Sequence, residues 1–386
     1  MDRLRYIYFF ILIGILSCAD KFNRKSQLII QEVKNEYAPD NRVAIFNIEA
    51  LGTNPTSLKG ETNLKDAKIE LVRIFESKGI RVKDEITVLP NEQIGTEKYG
   101  LINVSVANLR EQPKHNAELV TQALLGTPVI LLKENRGWYL IQTPDKYIAW
   151  TNSSCLERIN QAQLETWKSA QKIIYLNTYG FSLNPETSTR VSDLVTGNVL
   201  ILEHENNDNW EVAYPDGRQA IIAKSEAAEI QSWKENIVIS ENSITKASKE
   251  LMGVPYLWGG TSTKGLDCSG FTKTVYLLHG YIIPRDASQQ VHEGELIDSE
   301  RDFSKLKVGD LLFFGKKNDD QSERVVHVGL WLGNNQFIHA SGDVHISSMD
   351  SLDENFDSYN YERYLRTKRI IGSNNKLENI LSELYL

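Results

Sequence analysis

"GLDCSGFTKTVYLLHG", residues 265–280, holds the cysteine on which the reading of the chain turns. Phe271, Val275 and Leu278 fall on one stripe at helical spacing, and Gly280 is a stop signal. Asp267 suits an N-cap, so a helix is expected to begin at Cys268. That sets the thiol in the first turn, among unsatisfied backbone N–H groups at the positive end of the helix dipole. A free cysteine has a pKa of about 8.5, and a helix N-terminus can lower it to roughly 3.5–7.5. The expectation is a reactive Cys268 held as a thiolate. A second helix precedes it in "NSITKASKELMGV" (242–254), with Asn242 or Ser243 as N-cap. Strand-like runs follow: "GDLLFFG" (309–315), "RVVHVGLWLG" (324–333), "QFIHA" (336–340) and "HISSM" (345–349). A helical half followed by a sheet half indicates an α+β domain.

A nucleophile needs a base, and the base needs an orienting group. His327 and His339 lie in two of the strand-like runs. Gly333-Asn334-Asn335 between them suits a three-residue hairpin loop. That loop pairs 332 with 336 and therefore 329 with 339. His327 and His339 then share a face as diagonal neighbours, their Cα atoms on the order of 7–8 Å apart. A two-residue loop would place them on opposite faces. In this arrangement His327 is the base and His339 its orienter. Two histidines and a cysteine could instead bind zinc, but no fourth ligand stands at a familiar spacing.

These residues carry a resemblance. "VPYLWGG" (254–260), "GLDCSGF" (265–271), "IPRDASQQ" (283–290), "LKVGDLLFF" (306–314), "HVGLWLG" (327–333) and "FIHA" (337–340) occur in the order of the NlpC/P60 cysteine peptidases. Val308 stands where that family usually has proline. The resemblance implies a papain-like α+β fold with Cys268, His327 and His339 as a triad. It puts Tyr256 beside the nucleophile, at the oxyanion or the substrate. It also places Ser269, Asp286 and Ser288 among the oxyanion or substrate-binding residues. No metal or organic cofactor is implied.

The remainder of the chain adds a repeat. The stretch from Gly126 to Ile159 returns from Gly197 to Ile230, with Pro144 and Pro215, and Asp145 and Asp216, offset alike. Short alternating strands broken by Gly, Asn, Asp and Pro turns suggest a small β-barrel in each copy. The copies resemble bacterial SH3 domains, with "VANLREQP" (106–113) as the usual opening of the first. The second is degenerate, because Arg218 and Ile221 stand where the first has Tyr147 and Trp150. Before the barrels, "RVAIFNIEAL" (42–51), "NLKDAKIELVRIFESKG" (63–79) and "IRVKDEITVLP" (80–90) read as a β-α-β unit.

The first 18 residues, with two arginines, an apolar run from Ile7 to Leu16 and then Ser17-Cys18, read as a signal-peptide core. Ile15-Leu16-Ser17-Cys18 resembles a bacterial lipobox, which implies lipidation of Cys18 and an exported, membrane-anchored protein. Ordinary secretory cleavage nearby is the alternative. Three cysteines exist, so an exported chain leaves a Cys155–Cys268 disulfide open, with Cys155 better suited to packing. The net charge of −8, with no dense basic stripe, disfavours nucleic acid as a partner. The expected organisation is a signal peptide over 1–18, a tether over 19–40, an N-terminal α/β segment over 41–98, barrels over 99–160 and 172–232, a catalytic domain over 237–372 and a tail over 373–386.

This layout looks like that of the γ-D-glutamyl-L-diamino acid endopeptidases, which cut peptidoglycan stem peptides. That likeness implies that the first barrel walls off one end of the cleft and binds a free N-terminal L-alanine. The residues concerned would be Tyr147, Asp267 and Glu118, the last from "AELVTQAL" (117–124). The rival readings are a wall-binding lipoprotein with a retired peptidase domain, and an amidase on the same fold.

Overall fold

The computed structural model describes residues 24–372. Cys18, the signal segment and the tail over 373–386 lie outside the described residues. The described residues form two compact units. The first runs to Gly95 and includes Leu131–Glu134 and Lys146–Ile148; the second holds the rest.

In the first unit, strand Phe46–Leu51 pairs antiparallel with Thr56–Thr62, which pairs in parallel with Val82–Val88. Helix Lys65–Ser77 makes the crossover and buries Ala67, Leu71 and Phe75. The strand over Thr56–Thr62 was not foreseen, because only Leu58 gives it an apolar inward face. The segment expected as a tether, with a short helix-like patch at 26–34, is helical over 24–37 and packs rather than standing free: Ile29, Ile30 and Val33 are buried in this unit's core.

The two copies of the repeat in the second unit have the same topology. The first sheet runs Leu156–Ile159, Tyr99–Ile102, Pro128–Asn135, Trp138–Gln142, Ile148–Asn152, Val106–Arg110, Leu119–Leu124. The second runs Ala227–Glu229, Lys172–Tyr175, Val199–Glu205, Asn209–Ala213, Gln219–Ala223, Tyr179–Leu183, Arg190–Val195, the same order strand for strand.

The catalytic half has an antiparallel sheet in the order Glu295–Asp298, Tyr364–Arg369, Leu311–Lys317, Glu323–Gly333, Gln336–Ser341, Asp343–Ser348. Helix Cys268–Leu277 packs on it. Phe271, Val275 and Tyr276 are buried with Leu311, Phe313, Val328, Leu330 and Ile338. Each such side chain fully buried contributes roughly 1.5–3 kcal/mol, which fixes the helix, and with it Cys268, against the strands. The preceding helix is Glu241–Lys249. It starts earlier than expected because Ser240, in a capping box with Ser243, is its N-cap.

The hairpin that carries the two histidines departs from its expected form in two ways that cancel. Only Asn334 and Asn335 make the loop, both with positive φ (50° and 59°), and Gly333 pairs with Gln336. Such a two-residue turn alone would set the histidines on opposite faces. A β-bulge between Trp331 and Gly333 inserts one residue, so Trp331 pairs with Phe337 and Leu330 with Ile338. Continued by one residue, this register puts 329 opposite 339. Gly329 is required there: a Cβ would lie 2.7 Å from Phe337 Cδ2 and 3.4 Å from His339 Cβ.

Both barrels are pinned to the catalytic half. Thr261 N and Ser262 Oγ each donate to Gln122 Oε1 of the first barrel at 3.0 Å. Lys264 pairs with Asp193 of the second barrel and donates to Ser105 Oγ of the first at 2.9 Å.

Candidate active site

The helix that starts at Cys268 is capped by Asp267, whose Oδ1 accepts from Gly270 N at 2.8 Å. The same carboxylate accepts from Gly259 N at 3.0 Å, Ser269 Oγ at 3.2 Å, and Arg285 Nη1 and Nη2 at 3.1 and 2.5 Å. Five protein donors exceed the roughly four lone-pair sites of a carboxylate. Asp267, expected to hold a substrate ammonium, here caps the nucleophile helix and fixes Arg285. Ser269 has a buried hydroxyl that donates to Asp267 and accepts from Arg285 Nη1 at 2.9 Å.

Arg285 is 1% exposed and also donates from Nε to Thr121 Oγ1 of the first barrel at 3.0 Å. It ties the cap of the nucleophile helix to a strand 164 residues earlier. Sequence reasoning missed it, although it stands within "IPRDASQQ"; a buried arginine gives no local signal without its partners. Asp286 N-caps the short helix Ala287–Gln290, which carries Ser288, half-buried. Gln290 of that helix accepts from Thr272 Oγ1 at 2.8 Å and donates to Ser269 O at 3.1 Å, locking the two helices together.

The two histidines meet as expected. His327 Nε2 and His339 Nδ1 are 2.8 Å apart, and His339 Nε2 is 3.1 Å from Ser347 Oγ. If His327 is to take a proton on Nδ1, its Nε2–H must donate to His339 Nδ1. His339 then carries its own proton on Nε2 and donates to Ser347. The Ser347 hydroxyl can accept that proton, which fits this tautomer; the sequence did not reveal this partner. Asp357 Oδ2, at 3.9 Å from His339 Nε2, supplies negative charge behind the pair.

The strand of His327 also acts on the nucleophile: the backbone N–H of Val328, and that of Ser269, favour the Cys268 thiolate. Tyr256 bridges to Leu266, two residues before Cys268, and its N–H donates to Gly342 O at 2.8 Å. Burial, then the Cys268 and Asp267 charges, keep its phenol above the ordinary range and so neutral. The structure thus brings Tyr256, Asp267, Cys268, Ser269, His327 and His339 together. Tyr147 is buried and belongs to the first unit. Glu118 is exposed, and its Oε1 accepts from Trp258 Nε1 at 2.7 Å, in the loop that leads to Asp267. A Cβ on the next residue, Gly259, would fall 2.3 Å from Leu119 O, so only glycine lets the barrel strand come this close.

The electrostatics correct one expectation. Burial, with the Asp267 charge, pushes the Cys268 thiol up to about 12, against the Val328 N–H, the Arg285 charge and the Ser269 N–H. Burial pushes His327 down to about 3, helped by the positive charges of Arg363 and His345. The same cause pushes His339 down to about 2. The resting state is a thiol beside neutral imidazoles, not a standing thiolate. The helix terminus does favour the anion, but desolvation and an adjacent carboxylate outweigh it. Iodoacetamide labelling of Cys268 is therefore expected to climb between pH 6 and pH 8, by about tenfold per unit, as the thiolate fraction grows. A rate already level below pH 7 would reveal a thiolate that the buried environment does not favour. Cys155 is also a free thiol, so no disulfide joins the two. Among the described residues no group of three or more His, Cys, Asp and Glu is placed to hold a metal ion.

A cysteine at a capped helix start, facing a strand whose histidine is held by a second histidine, defines a cysteine hydrolase of papain-like α+β architecture. Residues 253–366 match the NlpC/P60 family, and residues 105–157 match a bacterial SH3 domain. The chain is 33% identical over 159 residues to a probable endopeptidase NlpC homolog of Haemophilus influenzae, covering 40% of this chain and 74% of that one. It is 29% identical over 231 residues to a gamma-D-glutamyl-L-lysine dipeptidyl-peptidase of Bacillus cereus, covering 58% of this chain and 67% of that one. The crystal structure of an NlpC/P60 family protein from Bacillus cereus shares the fold, with a TM-score of 0.60 at 24% identity over 70% of this chain and 99% of the other. The chain belongs to the NlpC/P60 family and is a cysteine peptidase.

Proposed function

We propose that the enzyme hydrolyses the bond between γ-D-glutamate and a diamino acid in peptidoglycan stem peptides whose N-terminal L-alanine is free. One observation carries this reading: the first barrel presents the exposed carboxylate of Glu118 at Trp258, on the loop that ends at the nucleophile. An acidic group there suits a substrate that ends in an ammonium a short distance from the scissile carbonyl. Likeness to the Bacillus cereus dipeptidyl-peptidase supports the γ-glutamyl choice.

The chemistry follows from the geometry. Cys268 sulfur attacks the γ-carbonyl as its proton passes to His327 Nδ1. The oxyanion is met by backbone N–H at the helix start and by the neutral Tyr256 hydroxyl; one such donor is worth about 3–4 kcal/mol. The C–N bond breaks as the His327 imidazolium protonates the leaving α-amine. Water then attacks the thioester, giving its proton to His327. The thiol is restored and the γ-carboxylate leaves.

Glu118 gives the experiment. Acetylating the N-terminus of L-Ala-γ-D-Glu-L-Lys removes the ammonium and should lower kcat/KM by at least about tenfold, since a charged hydrogen bond is worth roughly 1.5–3 kcal/mol. Equal rates on the free and acetylated peptides would mean that the barrel does not read the alanine.

A further inference from the structure

Arg363 joins helix Ser358–Glu362 to strand Tyr364–Arg369. The sheet carries it to the active site: Phe314 pairs with His327 on one side and with Tyr364 on the other. Two strand spacings separate His327 from Tyr364, about 10 Å. Local contacts hold the guanidinium in place. Its Cζ lies 3.8 Å from the centre of the Tyr359 ring, and Nη2 donates to Asn360 Oδ1 at 2.8 Å.

This arginine lacks what its neighbours have. Arg366 pairs with Glu323 and Arg369 with Asp310, each at 2.7 Å. Arg363 has no ion-pair partner among the described residues, and its Nε is buried without a hydrogen-bond acceptor. Asp357, whose oxygens accept from Asn360 N at 2.9 Å and Asn360 Nδ2 at 2.6 Å, makes no ion pair with it. The uncompensated charge is felt at His327, where it is the largest influence after burial. A bare cation beside the base disfavours the imidazolium that the reaction must form. Such an arrangement is costly unless the substrate brings the counter-charge.

We infer that Arg363 is the subsite for the α-carboxylate of the leaving residue. This rests on the γ-glutamyl reading above. The amine that His327 protonates and that carboxylate share one carbon atom, so a cation near His327 lies where the carboxylate must go. The planar fork suits a carboxylate better than a point charge does. Binding would neutralise Arg363 and release His327 from its repulsion, so a leaving group with a free carboxylate restores the basicity of the group that expels it. A residue whose carboxyl is tied up in a further peptide bond would not.

The test compares L-Ala-γ-D-Glu-L-Lys with its C-terminal amide, using the full chain and R363M. Lysine is chosen because it carries no carboxylate besides the α one. Wild type should favour the free acid by at least about tenfold in kcat/KM, as for a charge-assisted contact. In R363M that preference should fall to within about threefold, through loss on the acid rather than gain on the amide. R363K, which keeps the charge and loses the fork, should fall between them, and it serves if R363M does not fold. Equal wild-type rates on acid and amide, or a full preference surviving in R363M, would overturn the subsite while leaving the γ-glutamyl reading intact. Failure of wild type to cleave either peptide would overturn that reading and the subsite with it.

Discussion

Replacing Cys268 with alanine should reduce hydrolysis of L-Ala-γ-D-Glu-L-Lys by about 10⁴-fold or more, the order of loss seen when the nucleophile of a triad is removed. The fold should survive. The cap that starts the helix rests on Asp267, Arg285 and Gly259, none of which bonds through the sulfur. Alanine removes one atom from a site already 7% exposed, a loss of about 1 kcal/mol. Circular dichroism and a thermal melt of the variant check the second half of the expectation, and peptide hydrolysis followed by mass spectrometry checks the first. Residual turnover above a few per cent in a well-folded variant would remove Cys268 from the role of nucleophile. Cys155 offers no substitute: it lies in the turn Ser153–Cys155 of the first barrel, where burial raises its thiol and only Thr151 and Ser154 bond to it.

What could be read beforehand depended on how local the cause was. The cap at Asp267, the helix stripe and the strand runs around His327 and His339 are set by neighbours a few positions away, and they stand in the structure. The register of the histidine hairpin was reached by the wrong route. A two-residue loop and a bulge replaced the three-residue loop, and neither has a unique signature in Leu332-Gly333-Asn334-Asn335. The partners of Asp267 were not legible because they include Arg285, 18 residues away, and Gly259, brought in by tertiary packing. The state of the thiol was misread for the same reason. A helix terminus is visible in sequence, whereas burial is the sum of everything that covers the site. The second barrel, read as degenerate, keeps the strand order of the first and pairs Asp193 with Lys264.

Replacing His339 with alanine should lower kcat by roughly 10²- to 10⁴-fold, as when the orienting member of a triad is lost, with KM changed little. His339 touches no substrate in the mechanism above. Its whole effect runs through His327. Without it, His327 Nε2–H loses its acceptor at 2.8 Å, and the ring can take the other tautomer, with Nδ1 already protonated and unable to relieve the thiol. The ring also fills space between Phe337 and His345, at centroid distances of 4.7 and 4.6 Å, so alanine lets His327 turn. Two consequences separate this role from simple damage to the core. H339N, which can still accept from His327, should recover part of kcat although it packs less well than histidine. Thiol alkylation in H339A should keep the wild-type rate and its climb with pH, because it follows the thiolate fraction and not the tautomer of His327. A variant in which Cys268 alkylation slows as far as kcat would show that His339 acts by shaping the surroundings of the thiol, and not by positioning the base.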